Sequence, residues 1–200
     1  MFKEIVLKSC NPEEYPDEVI VCRVIANEDI GAYVSAIPEE KRFRATKVAP
    51  VEARAGKVGE EVKTVLYTER NGRRYILSET TDTVGERKVD GQMLPDVVVT
   101  NVNSTSNEQY IVKSDRFSPR LYAPNEDGTW TPQPDERLFY QVDEDIIIMT
   151  AWGAEAVCLR GSYIVEYNAE ENDYNTVEKG AEKSTYKRTK APQKTKKDSE

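Results

Sequence analysis

Two hundred residues suffice for one domain or two small ones, and a net charge of −8 disfavours any phosphate backbone as a partner of the folded part. The chain has no histidine, which removes Ser-His-Asp and Cys-His nucleophilic systems and His-ligated zinc. Three scattered cysteines cannot alone fill a four-cysteine zinc site, and neither a GxxxxGKS/T nor a GxGxxG phosphate loop occurs.

Hydrophobic residues make up 38% of the chain, below the usual share of roughly 45–50%, a figure that also counts Gly. Tyr is the main aromatic, at 11 residues. Its ring suits half-buried strand faces with one wet end, which predicts thin β layers rather than one large dry core. Charge is unevenly placed. The stretch Lys187 to Glu200 holds six Lys/Arg and two Asp/Glu, a net +4, which leaves −12 on the body. A solvated disordered end is the ordinary reading of such a tail, although it could also contact nucleic acid, an acidic partner or its own body. No hydrophobic run approaches the ~18 residues of a membrane span, and Met1-Phe2-Lys3-Glu4 starts no signal-peptide core. Cys10, Cys22 and Cys158 form no CxxC pair, which fits a cytoplasmic protein with reduced thiols. The spacing leaves a Cys10–Cys22 bridge open.

Phe2 to Leu7 reads as a first strand, followed by a turn at Asn11-Pro12. Glu18 to Ala26 is a strongly apolar second strand, buried on both faces or central in its sheet. Ala32 to Ile37 reads as a third strand, closed by Pro38, and Glu39 to Thr46 as one charged helical turn. Val48 to Arg54 returns as a short strand with Pro50 at its entry. The clearest local signal follows. Glu61 to Arg70 and Arg73 to Thr80 flank Asn71-Gly72, which specifies a two-residue type I′ hairpin. That register sets Tyr67 opposite Ile76, Leu66 opposite Leu77 and Glu69 opposite Arg74. Arg70 and Arg73 then face each other at the tip, unfavourably unless an anion or acidic partner sits there; two splayed, solvated arginines are the ordinary reading. Thr81 to Asp90 reads as a polar connection.

From Gly91 the chain carries a pattern that returns about 64 residues later. Val97-Val98-Val99 lies on Tyr163-Ile164-Val165, and Gln109-Tyr110-Ile111-Val112 lies on Asp173-Tyr174-Asn175-Thr176. Tyr110 to Tyr122 and Tyr174 to Tyr186 are both 12 residues, while the loop inside the first copy is two residues longer. Rigid spacing outside a variable loop is how a duplicated supersecondary unit behaves. Each unit reads as strand, turn, strand, a short helical or irregular turn, and a strand bearing the last Tyr. The helical piece spans Val177 to Glu182 in the second copy and Ser114 to Phe117 in the first. Between the units, Pro124 to Glu136 reads as a Pro-rich linker pinned by Trp130, then Arg137 to Val142 and Ile146 to Thr150 as strands.

The second unit resembles the PGDYG family of small phage and bacterial proteins. The residues that carry the likeness are Leu159 to Val165, Asp173-Tyr174 and the ending Ala181-Glu182-Lys183-Ser184-Thr185-Tyr186. Arg160 stands where the family has Pro and Ser162 where it has Asp; the first copy keeps Pro95-Asp96 but loses the Gly. The resemblance spans roughly 35 residues per copy and implies a fold element and a phage or bacterial origin. It brings no activity with it.

Few groups offer chemistry. Asp143 and Asp145 alternate on an extended stretch and could hold a hard cation, against the plainer reading of a charged turn. Glu170-Glu171-Asn172-Asp173 reads as a turn for backbone reasons. Cys158, with only Arg160 nearby to lower its pKa, reads as packing. Tyr110, Tyr122, Tyr163, Tyr174 and Tyr186 recur at repeat positions, as an aromatic binding surface or as repeated core.

The expectation is a mainly β protein with minor helix, built of tandem small β units in a sandwich- or barrel-like arrangement. Its segments are an N-terminal β region 1–86 with the 61–80 hairpin, a first unit 87–124, a linker 125–136, a second unit 137–187 and a basic tail 188–200. The expected role is a small cytoplasmic binding or interaction protein, and the resemblance implies a phage or bacterial source. Its partner would be a protein or a small molecule, with no cofactor and no membrane. The aromatic set above and Arg70 and Arg73 are the candidate binding residues, Asp143 and Asp145 the candidate metal ligands. A carboxylate- or metal-dependent hydrolase and a structural homo-oligomer are the alternatives.

Overall fold

A computed structural model describes residues 1–102, 108–133 and 135–189. It is mainly β, with short helices. The N-terminal strands are β1 (Phe2–Ser9) and β2 (Glu18–Ile25), followed by the helix α1 (Ile30–Ser35), then β3 (Arg42–Lys47) and β4 (Val51–Ala55). Next come β5 (Glu61–Arg70), β6 (Arg73–Thr83), β7 (Glu86–Val89), β8 (Gln92–Pro95), β9 (Val97–Asn101) and β10 (Gln109–Val112). The rest is β11 (Tyr122–Pro124), β12 (Trp130–Pro132), β13 (Glu136–Gln141), β14 (Ile146–Met149), β15 (Glu155–Cys158), β16 (Tyr163–Asn168), β17 (Asp173–Val177), the helix α2 (Lys179–Thr185) and β18 (Tyr186–Arg188).

Among the described residues three large sheets result. A six-stranded sheet runs β15-β14-β2-β1-β6-β5, and two five-stranded sheets run β10-β9-β4-β12-β11 and β17-β16-β13-β3-β18. The two five-stranded sheets share a plan. In each, the hairpin of one sequence unit lies at one edge and the strand bearing its last Tyr lies at the other. Strands from elsewhere fill the space between: β4 and β12 in one, β13 and β3 in the other. The N-terminal residues thus supply strands to all three large sheets, and sequence order is not spatial order. Residues 125–136, expected as a linker, hold the tight turn between β11 and β12, and Trp130 of β12 pairs with Val51 of β4.

Local sequence explains most of these elements. Asn71 and Gly72 have φ of 52° and 71°, as a type I′ turn requires, and Arg70 pairs with Arg73 across it. Tyr67 faces Ile76 and Glu69 faces Arg74 as expected, but a bulge at Leu66/Tyr67 sets Leu66 against Ser78 rather than Leu77. The polar stretch before the first unit is not a plain connection: Asp90-Gly91, with φ of 49° and 85°, turns β7 into β8. The strand expected at Ala32 to Ile37 is corrected to helix. Ile30, Val34 and Ile37 recur at spacings of four and three and are all buried in one cluster, which is a helical rather than an alternating pattern. The helical turn expected over Glu39 to Thr46 is limited to a 3-10 turn at Glu39–Lys41, and the remainder is β3.

β14 is the most enclosed strand. Ile146, Ile147 and Ile148 are fully buried, because Ile146 and Ile148 face the core under α1 while Ile147 faces a second core with Leu7, Ile20, Cys22 and Tyr75. Burying each side chain contributes about 1.5–3 kcal/mol. β2 is central in its sheet as expected, between β14 and β1, yet only Ile20 and Cys22 on one face and Ile25 on the other are buried. A third core joins Ala45, Phe139, Tyr163 and Val165 with Phe43 and Tyr186, and a fourth joins Val62, Val84 and Val98. The described part of the tail ends at Thr189, whose N–H donates to the Arg44 carbonyl. The remaining expected tail, 190–200, the longer loop of the first unit at 103–107, and Pro134 lie outside the described residues.

Candidate functional site

An open cavity of about 320 Å³ lies on the sheet of the first unit, at the small end of the range of roughly 300–1,000 Å³ that small-molecule sites occupy. Its floor is built by short-side-chain and apolar residues, Ala53 and Ala55 of β4 and Val97 of β9. Leu94 and Pro95 of β8 form one wall, Phe117 and Trp130 the other, and Arg54 and Ser114 complete the lining. The aromatic wall is held by stacking. Phe117 lies parallel to Tyr122, ring centres 4.7 Å apart, and edge-on to Trp130 at 5.1 Å. The turn that carries Phe117 is fixed by the Arg116 and Phe117 N–H groups, which both donate to the Lys113 carbonyl. Arg54, which alternates with Ala53 and Ala55 along β4, forms a two-pronged ion pair with Glu60, whose carboxyl that contact pulls down to about 2.

Asp96, between the cavity residues Pro95 and Val97, lies beside this cavity. Asp96 is buried, and its Oδ1 accepts from the Ser114 N–H at 3.0 Å and from Arg87 Nε at 3.1 Å. In the second unit Ser162 holds the matching place, and its Oγ accepts from the Lys179 N–H at 3.3 Å. Both side chains therefore tie the strand start to the turn that follows the hairpin. Next to Lys179, the Glu178 carboxyl accepts from Thr68 Oγ1 at 2.9 Å; burial pushes the Glu178 pKa up.

The five repeat tyrosines do not form one surface. Tyr163 and Tyr174 are core residues, 4% and 2% exposed. Tyr110, Tyr122 and Tyr186 are half-buried. Tyr122 backs the cavity wall through Phe117. Tyr110 belongs to a polar seam between the two five-stranded sheets: Lys47 Nζ of β3 donates to Tyr110 Oη at 3.2 Å, and Asn101 Nδ2 donates to Glu108 at 2.9 Å. Burial there lowers the Lys47 pKa and raises that of Glu108.

Arg70 has the acidic partners that a like-charge hairpin tip calls for. It reaches Asp145 at 3.1 Å and Glu18 at 3.2 Å, while Arg73 stacks over Tyr15 at 5.4 Å. Asp145 is thereby committed to Arg70 and to the Arg160 N–H, and Asp143 pairs with Lys41. The two carboxylates serve different cations, and no group of three or more metal-ligating side chains occurs among the described residues. All three cysteines are free thiols. Cys22 and Cys158 are fully buried, and burial first, then the Asp145 charge, pushes the Cys22 thiol up to about 11.

Trp130 is the one sequence signal for the cavity, as the residue expected to pin residues 125–136 to the body. Ala53, Leu94 and Phe117 carry none, because they meet only through the pairing of strands distant in sequence. Comparison of the chain with protein-family models, curated proteins and solved structures gives no match.

Proposed function

We propose that the protein is a small binding protein that takes an apolar or aromatic group, from a small ligand or a segment of a partner, between Phe117, Trp130 and Leu94. The observation that carries this reading is the open, apolar-lined cavity of about 320 Å³ with a prearranged aromatic wall. A rigid aromatic wall loses little freedom on binding, which favours affinity. The competing hydrolase reading has less behind it, since Asp143 and Asp145 are each held by a separate cation. The PGDYG resemblance adds the proposal of a phage or bacterial source, with a host component or small ligand as the target.

The test uses Trp130 as a local reporter. Replacing Trp152, which is 62% exposed, by Phe leaves Trp130 as the only tryptophan. Titration with 8-anilinonaphthalene-1-sulfonate should change Trp130 emission saturably, and Ala53→Leu should abolish the change by filling the floor. Emission that stays constant through the titration would contradict the reading.

A further inference from the structure

The apolar face of β2 runs on past the cover provided by α1. Ile25 is buried in the core under α1, and Arg23 lies over the Tyr33 ring at 5.7 Å. Beyond that point the same face is open: Val21 is 56% and Val19 61% exposed. Alternation along β1 puts Phe2, Glu4, Val6 and Lys8 on this face, and Val6 is 57% and Phe2 71% exposed. The strand register sets Val6 directly opposite Val19 and Glu4 opposite Val21. Four large apolar side chains thus lie side by side in water, an arrangement that marks an interaction surface.

We infer that this face docks a second copy of the chain, related by a two-fold axis that crosses β1 at Val6. The charges select that occupant. Glu4 and Lys8 flank Val6 on either side, and neither forms an ion pair with another described residue. A two-fold axis at Val6 sets Glu4 of one copy against Lys8 of the other, and does so twice. The surface is self-complementary, as a symmetric dimer requires: apolar at the centre, with opposite charges exchanged by the symmetry. Sheets packed face to face lie about 10 Å apart, within reach of a Glu–Lys pair from opposite layers. This inference does not depend on the cavity.

The test is sedimentation velocity on the full chain over a concentration series. The wild type should form a dimer that weakens as salt rises. Glu4→Lys and Lys8→Glu should each weaken it at least about tenfold, because each replaces two attractive contacts by two repulsive ones. An equimolar mixture of the two variants should recover the dimer, since a face with lysine at both flanks of Val6 then meets a face with glutamate at both. Val19 is also on the open surface, so Val19→Asp gives an independent disruption without a change in the core. A wild type that stays monomeric at every concentration, or a dimer indifferent to Glu4→Lys, would overturn the inference. A monomer would point to an unrelated protein as the occupant.

Discussion

Asp96 and Ser162 hold the same place in the two units, and the acid has changed sides between them. In the first unit the strand bears the carboxylate, Asp96, and the turn bears a hydroxyl, Ser114, four residues after Tyr110. In the second the strand bears the hydroxyl, Ser162, and the turn bears the carboxylate, Glu178, four residues after Tyr174. The strand side chain accepts from a turn N–H in both units, Asp96 from Ser114 and Ser162 from Lys179, while the Ser114 hydroxyl itself donates to the Leu94 carbonyl. Asp at 162 would set two carboxylates close together, with Ser162 itself buried and Glu178 half-buried. Ser162→Asp should destabilise the fold by about 2–3 kcal/mol through that repulsion. Adding Glu178→Ser should restore part of the loss. Denaturant midpoints of the single and double variants measure the coupling, and strictly additive effects would refute the exchange.

Glu178 makes stability depend on pH. Its pKa is raised in the folded state, mainly by burial. Its contribution is therefore present in full below the unfolded value of about 4.3 and is lost as pH rises through the folded value. Glu178→Gln removes that loss. The variant should melt higher than the wild type at pH 8, and the gain should vanish near pH 4. A gain that persists at pH 4 would assign it to another cause.

The two hairpin-tip arginines should behave differently. Arg70 is the main partner of Asp145, which is 18% exposed, so Arg70→Ala leaves a largely buried carboxylate without its cation. The expected loss is about 1–3 kcal/mol. Arg73→Ala removes an exposed contact with the Tyr15 ring, worth about 0.5–1 kcal/mol. Thermal melts of the two variants should rank them in that order.

Gly56 is required for space. A methyl group there would lie 2.7 Å from Val84 Cγ1 and 2.9 Å from the Asp96 carbonyl oxygen, and Val84 is fully buried. Gly56→Ala should cost about 1–3 kcal/mol by overpacking. Because Asp96 lies beside the cavity, the same variant should weaken probe binding at Trp130, which fluorescence titration would read.

Much of this architecture was legible in the residues. Asn71-Gly72 fixed its hairpin because only residues tolerant of positive φ close so short a turn. The equal spacing from Tyr110 to Tyr122 and from Tyr174 to Tyr186 marked units whose strands take matching places in two sheets. α1 was hidden because its six residues show less than two turns of periodicity, and Tyr33, Val34 and Ile37 are residue types that favour strands. β7 and β8 were hidden because each is four residues long and the hairpin is largely exposed, so it needs little apolar patterning. The acidic partners of Arg70 were beyond local reading: Asp145 is 75 residues away, and only the sheet topology brings it there. The cavity was hidden for the same reason, as its floor and walls come from four strands and a turn.

Native mass spectrometry of the wild type and Ala53→Leu, each purified gently from its source cells, tests the binding reading most directly. The account predicts a retained small molecule or partner segment on the wild type and its loss from the variant whose cavity floor is filled. A bare chain in both samples, or the same adduct on both, would contradict it.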